Sequence, residues 1–246
     1  MVVSGEMEIR DKMFFKQKIR RKLVSRLDRL RDFLENENNS NMLTNGEANF
    51  LNLFKEFFKG QIVTVIDVGS ASGHYSALIP GAEVFAFDGR QNYLISDIDG
   101  LCKFYIRNDT PELSSVNRLS YLDEKYGSVT EKEVSTRRLD TLIDENQVKH
   151  ISLLKIDVEG HELHVINGLG HYLRNDFIDF VQFERGNAEA DCRLKTLYGL
   201  FESKGFSIYK IYKHSVEKIS YASSNENLNY ANYVAVSDVI NFQYMQ

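Results

Sequence analysis

Two cysteines in 246 residues, Cys102 and Cys192, supply neither a disulfide framework nor a zinc quartet. They read as reduced, ordinary thiols. The chain also lacks an apolar run near the ~18–20 residues that a bilayer-spanning helix needs. Its N-terminus shows no apolar signal core followed by a cleavage site, so the expectation is a cytoplasmic protein. The two prolines carry no usable mechanism. A dinucleotide fingerprint G-x-G-x-x-G is missing too, which argues against a nicotinamide-dependent enzyme. What remains is ordinary for a soluble globular protein: 43% apolar and 26% charged residues, with a net charge of −5.

That charge is unevenly spread. Residues 10–31 hold ten Lys/Arg against Asp11 and Asp28, and the remainder is acidic. Residues 9–35 read as a helix with Leu23, Leu27, Leu30 and Leu34 on one face. A basic amphipathic arm of this kind suits an anionic surface, but no aromatic platform accompanies the charge. It reads as an arm packed on the domain or on a partner subunit, with a homodimer as one outcome and nucleic acid disfavoured. Asn36–Asn45 reads as a polar linker. The division expected is an arm and linker over 1–45 and a single domain over 46–246.

The most informative run is Val63-Thr-Val-Ile-Asp67-Val-Gly69-Ser70-Ala71-Ser-Gly73-His-Tyr75. A β-branched strand ends in a carboxylate, and a small-residue loop then enters a helix start. Glycines let a ligand approach backbone, and free N–H groups at a helix start bind anions. Asp67 would repel a pyrophosphate but attract an ammonium or sulfonium. S-adenosylmethionine carries both. Nineteen residues after Gly69, a second strand, 83–88, ends in Asp88, placed to accept bonds from ribose hydroxyls. A structural alternative is that Asp67 caps a helix and Asp88 closes a buried strand.

Strand–helix alternation continues. A helix is expected over 47–59, strands over 62–68 and 151–157, helices over 73–79, 161–173 and 191–204, and a strand over 178–184. A closing antiparallel pair is expected over 206–212 and 232–236. This argues for a largely parallel sheet covered on both faces. One stretch resists. Only Gly89-Arg-Gln-Asn92 separate Asp88 from the next apolar run at Tyr93, and a parallel pair needs about a dozen residues of crossover. Either the Tyr93 run is not the next parallel strand, or the crossover is deleted or omitted; a missing crossover is the expectation.

Leu154-Lys155-Ile-Asp157-Val-Glu159-Gly-His161-Glu162 is the second chemical cluster. Alternation puts Lys155, Asp157 and Glu159 on one side of an extended chain. Ionisable groups at the carboxyl end of a buried strand must pair or shift pKa, a pattern common at functional sites and also met in structural ion-pair networks. His161 and His164 are three apart, which is not the H-E-x-x-H zinc spacing, and no resident metal is expected. Oxygen ligands at Asp157 and Glu184 suit magnesium or calcium if any ion bridges them.

These residues resemble a known family. Asp67-Val-Gly-Ser-Ala-Ser-Gly-His-Tyr-Ser76, Arg138-Leu-Asp-Thr-Leu142, Lys155-Ile-Asp-Val-Glu-Gly-His-Glu162 and Ile166-Asn-Gly168 look like the motifs of FkbM-type S-adenosylmethionine-dependent methyltransferases over residues 60–186. The resemblance implies a Rossmann-like fold with a mostly parallel seven-stranded sheet, helices on both faces and a C-terminal antiparallel pair. It implies methyl transfer to an acceptor, usually a hydroxyl of a sugar or small metabolite. Asp67, Gly69, Ser70, Ala71 and Gly73 would hold the methionine part of the donor, Asp88 the ribose, and Asp97 the adenine side. Lys155, Asp157, Glu159 and Glu162 would lie near the acceptor, with Asp157 or Glu159 as base and Lys155 orienting it. His161 and Glu184 are further acceptor-side candidates. The alternatives are a non-catalytic scaffold of the same fold and a nucleic-acid methyltransferase.

Overall fold

The computed structural model describes residues 41–69, 73–89, 93–110, 113–118, 127–186, 194–222, 230–240 and 242. The basic arm, Ser70, Ala71 and Cys192 lie outside the described residues.

Ten strands and four α-helices are described. They are α1 (Glu47–Phe57), β1 (Thr64–Val68), β2 (Glu83–Phe87), β3 (Leu94–Ser96), β4 (Gly100–Arg107), β5 (Val129–Arg138), α2 (Leu139–Glu145) and β6 (Ile151–Ile156). Then follow α3 (Glu162–Asn167), β7 (Ile178–Gly186), α4 (Leu194–Ser203), β8 (Phe206–Ile211), β9 (Val216–Lys218) and β10 (Tyr230–Ser237). Short 3-10 turns stand at Ser76–Leu78 and Gly170–Tyr172. Where a helix was expected over 73–79, only the first of these turns forms. The helix expected over 161–173 is divided between α3 and the second.

Seven strands make the main sheet in the order β2-β1-β6-β7-β10-β8-β9. β2, β1, β6 and β7 are parallel neighbours; β10, β8 and β9 are antiparallel. The sheet is thus mixed rather than mostly parallel, because β9 extends the expected closing pair into a third antiparallel strand. β1 and β6 read as continuous apolar runs because both of their faces are covered. One face, with Ile66, Val68, Leu154, Ile156, Val181 and Phe183, receives α2, α3 and α4. The other, with Val65, Leu153, Phe180 and Val234, receives α1. Burying each such side chain stabilises the fold by roughly 1.5–3 kcal/mol.

α1 is seated by aromatics. Phe50 and Phe54 lie 6.0 and 5.7 Å from Phe180 in edge-on geometry, the arrangement that ring quadrupoles favour. Glu47, Phe50, Leu51 and Phe54 form one stripe at spacings of three and four, and all are buried. The same periodicity that packs the phenylalanines carries a carboxylate inside. Asn45, at the edge of the expected linker, is 4% exposed. Its Oδ1 accepts the Glu47 amide at 3.0 Å.

The crossover puzzle resolves through topology. β3 does not join β2. It pairs in parallel with β5 in a separate three-stranded sheet, β3-β5-β4, so no parallel crossover is made after Asp88. This small sheet is anchored on α3, where Gly168 permits close approach. A Cβ there would sit 2.2 Å from the Ser96 carbonyl oxygen. No described helix is long and apolar enough to cross a membrane.

Candidate functional site

Asp67 on β1, Lys155 on β6 and Gln182 on β7 are register partners across three parallel strands. They share the face covered by α1. Near the same strand ends lie Asp157, just after β6, and Glu184 on β7. Tyr75, following the glycine loop, reaches this face too.

Lys155 is 3% exposed, and its Nζ donates to Glu47 Oε1 at 2.9 Å and to Asp157 Oδ2 at 3.2 Å. It lies 5.4 Å from the Tyr75 ring centre, a cation–π contact. Burial opposes the ammonium charge, but Asp157, Glu47 and Glu184 outweigh it and hold its pKa well above the ordinary value. Gln182 Nε2 donates to the same Glu47 oxygen at 2.9 Å, and Asn45 Nδ2 donates to the other at 2.9 Å. The Tyr75 hydroxyl donates to Gln182 Oε1. Glu47 therefore ties the region before β1 to the chemistry at the ends of β6 and β7. Sequence reading missed it, although a lone acid on the Phe50/Phe54 stripe was a usable signal.

Asp157 and Glu184 hydrogen-bond to each other, and their titrations are driven apart. Burial and the Asp157 charge push Glu184 well up. Burial also acts on Asp157, but Lys155 and the bond from Glu184 outweigh it and pull its pKa down. The pair is thus biased toward charge on Asp157 and a proton on Glu184.

Asp67 is 1% exposed. Burial raises its pKa, against partial opposition from Lys155 and a bond from Ser76. Its Oδ2 has no hydrogen-bond partner among the described residues. Gly69, two residues on, has φ 87°, and its amide donates to Phe87 O at 2.9 Å. A Cβ at Gly69 would lie 1.7 Å from the Asp157 carbonyl oxygen. This glycine brings the loop after β1 against the turn after β6. Gly73 has φ 68°, and its carbonyl accepts the Ser76 hydroxyl at 3.2 Å. Asp88 stands half-buried at the end of β2.

The chain stops being extended at Ile156, so Glu159 does not follow the Lys155/Asp157 alternation. It has φ 53° and Gly160 has φ 97°, two consecutive left-handed residues. For a non-glycine residue this conformation costs about 1–2 kcal/mol. Three side chains brace the turn. Glu162 Oε1 accepts the amides of Val158 at 3.4 Å and Gly160 at 3.1 Å. Ser115 Oγ donates to Glu159 O at 2.8 Å, and Asn117 Nδ2 donates to Gly160 O at 3.3 Å. Glu162 is 3% exposed, and burial pushes its pKa up to about 7.

A second cluster joins β3 to α3. The imidazoles of His161 and His164 stack with centres 4.4 Å apart. His161 Nε2 is 3.0 Å from Ser96 Oγ, and His164 Nδ1 is 3.0 Å from Asp97 Oδ2. Burial, then the neighbouring His164, lowers the His161 pKa to about 4. Burial acts upward on Asp97, but the His164 bond and charge outweigh it and lower its pKa. Asp157 therefore contacts both Lys155 and Glu184, whereas Asp97 and His161 belong to this separate cluster. No group of three or more His, Cys, Asp or Glu suited to a metal ion occurs among the described residues.

Comparison with known proteins bears on this arrangement. The family model described as Methyltransferase FkbM domain matches residues 44–208. "Methyltransferase 1" of Beauveria bassiana (strain ARSEF 2860) is 32% identical over 112 residues, 44% of this chain and 43% of that protein. The chain thus spans under half the length of that curated relative. Among solved structures, a precorrin-6y C5,15-methyltransferase from Geobacter metallireducens GS-15 aligns with a TM-score of 0.36 at 12% identity. That alignment covers 82% of this chain and 96% of the other, a likeness too slight to bear on fold or function.

Proposed function

Since the chain belongs to the FkbM methyltransferase domain family, we propose that it transfers a methyl group from S-adenosylmethionine to a hydroxyl of a sugar, glycan or small metabolite. The observation that carries this reading is Asp67. A buried carboxylate with an oxygen that lacks a partner among the described residues sits close to Gly69, at the carboxyl ends of parallel strands. Around it, Lys155 is one cation bonded to Glu47 and Asp157 as well. A ligand with an ammonium and a sulfonium suits that excess of carboxylate. The fold reading that goes with it is Rossmann-like, with the ligand crevice outside the strand ends.

In this reading Asp67, Gly69, Ser70, Ala71 and Gly73 hold the methionine part, Asp88 the ribose and Asp97 the adenine side. The donor, when bound, supplies an electrophilic methyl. The chain's own residues do the rest. Asp157, ionised and 37% exposed at its side chain, accepts the acceptor hydroxyl's proton as the oxygen attacks. Lys155 fixes the orientation of that carboxylate. Glu184, protonated, donates to it and lowers the cost of holding its charge. Glu159 reaches the acceptor side from the strained turn that Glu162 shapes. His161 lines the adjacent wall. Holding acceptor and methyl at attack distance contributes much of the acceleration.

Calorimetric titration with S-adenosylhomocysteine tests the reading. Micromolar binding that Asp67→Asn weakens supports it, and turnover with hydroxylated acceptors would follow. A folded protein that binds none would shift the assignment to a non-catalytic scaffold.

A further inference from the structure

The small sheet is not part of the seven-stranded core, yet the stretch that follows β4 is tied to the acceptor-side turn. Ser115 is 2% exposed and pairs as an isolated bridge with Tyr105 of β4, exchanging backbone bonds of 2.8 and 3.2 Å. Its hydroxyl also accepts the Asn117 amide at 3.1 Å. Thus Ser115 and Asn117 are fixed by β4 before they touch the turn. From there they donate to two successive carbonyls, Glu159 O and Gly160 O, 44 and 43 residues away in sequence. Those are the two residues whose backbone is left-handed. The amides of the same turn are held by Glu162. A backbone conformation that glutamate disfavours persists only where its surroundings over-determine it, and such sites concentrate where geometry matters for function.

We propose that residues 113–118 form a clamp on the acceptor side of the site, with Ser115 and Asn117 as positioning residues that hold Glu159 left-handed and so set where the Asp157 and Glu159 carboxylates stand. This rests on the methyltransferase reading for its catalytic consequence, but not for its structural one. The small sheet is then the second jaw of the acceptor site. Variation in this connection, rather than in the donor loop, would tune which hydroxyl is methylated.

The structural half is tested by thermal unfolding of Ser115→Ala, Glu159→Gly and the double variant. Glycine adopts positive φ freely, so a clamp that enforces that φ matters less in its presence. The expected result is a Tm loss for Ser115→Ala that shrinks by half or more in the Glu159→Gly background. Equal losses in both backgrounds would overturn the proposal. Should Ser115→Ala not fold, the half-buried Asn117→Ala serves the same cycle. The catalytic half is read in Asn117→Ala. We expect kcat to fall about tenfold or more, since sub-ångström misplacement of a reacting group has effects of that order, with S-adenosylhomocysteine affinity unchanged. Unchanged kcat alongside a lowered Tm would reduce the clamp to a merely structural brace and reject the positioning role. Wild-type protein that binds no S-adenosylhomocysteine would sink the methyltransferase reading and leave the unfolding cycle standing.

Discussion

Asp67 and Lys155 are register partners on adjacent strands and point to the same face, yet the Lys155 ammonium is bonded to Glu47 and Asp157 instead. Two strand-end carboxylates thus have opposite environments. Lys155 helps to hold the Asp157 pKa down, whereas burial raises that of Asp67.

Replacing Asp67 with asparagine separates function from stability. Donor and product binding should weaken roughly 10- to 100-fold, the scale of losing one buried charged partner. Stability at neutral pH should rise. The folded-state pKa of Asp67 lies above its unfolded value, so the folded form binds the extra proton, and stability falls as pH rises between those two values. The gain for Asp67→Asn should therefore be present at pH 7 and vanish below about pH 4. Melting curves across that range check it, and a neutral-pH loss would contradict the burial argument.

Lys155→Met strands carboxylates that the ammonium now satisfies. The expected loss is about 3–5 kcal/mol, as for breaking other buried ion pairs. Glu47→Gln in the same chain removes one stranded charge and should recover part of that loss. Denaturant titration of the single and double variants measures the recovery; a double variant weaker than Lys155→Met alone would refute the pairing.

Gly69→Ala meets two obstacles at once, a positive φ and the Asp157 carbonyl 1.7 Å from the new Cβ. Either β1's loop or the turn after β6 must move. We expect destabilisation of about 2–4 kcal/mol and loss of product binding. Calorimetry on any folded fraction reports the second effect, and wild-type affinity would show that the close approach is dispensable.

His161 and Glu162 are neighbours with opposing pH signs. Glu162 titrates near 7 in the folded state, above its unfolded value, so its contribution to stability falls as pH rises from about 4.5 to 7. His161 titrates near 4, below its unfolded value, so its contribution is lost as pH falls from about 6.5 to 4. Over most of that window the two trends oppose each other. Glu162→Gln should expose the histidine trend, an increase in Tm from pH 4.5 to 6.5. His161→Gln should expose the reverse. Parallel pH profiles for wild type and both variants would rule out these titrations as the source.

Much of the chemistry was legible because it is local. The runs 63–75 and 154–162 announce themselves by an acid at the end of an apolar strand, and the structure has β1 and β6 there. The strands β4 and β5 were missed because their burial is shallow; β5 alternates weakly, with only Val134 and Thr136 buried. Glu47 was missed because its partner lies 108 positions away, across the chain from Lys155.

Sequence alone determined the order of the parallel strands' elements, the acids that end them, and the glycines that let backbone approach backbone. These follow from side-chain period and from missing Cβ atoms, which are properties of short segments. Tertiary structure decided what those acids face: Asp67 with one oxygen that lacks a partner among the described residues, Asp157 with its pKa held down, Glu184 with its pKa pushed up, and a left-handed Glu159 whose carbonyl accepts from a distant serine. Protonation and strain depend on burial and on long-range partners, and those exist only once the sheet has brought β1, β6 and β7 side by side.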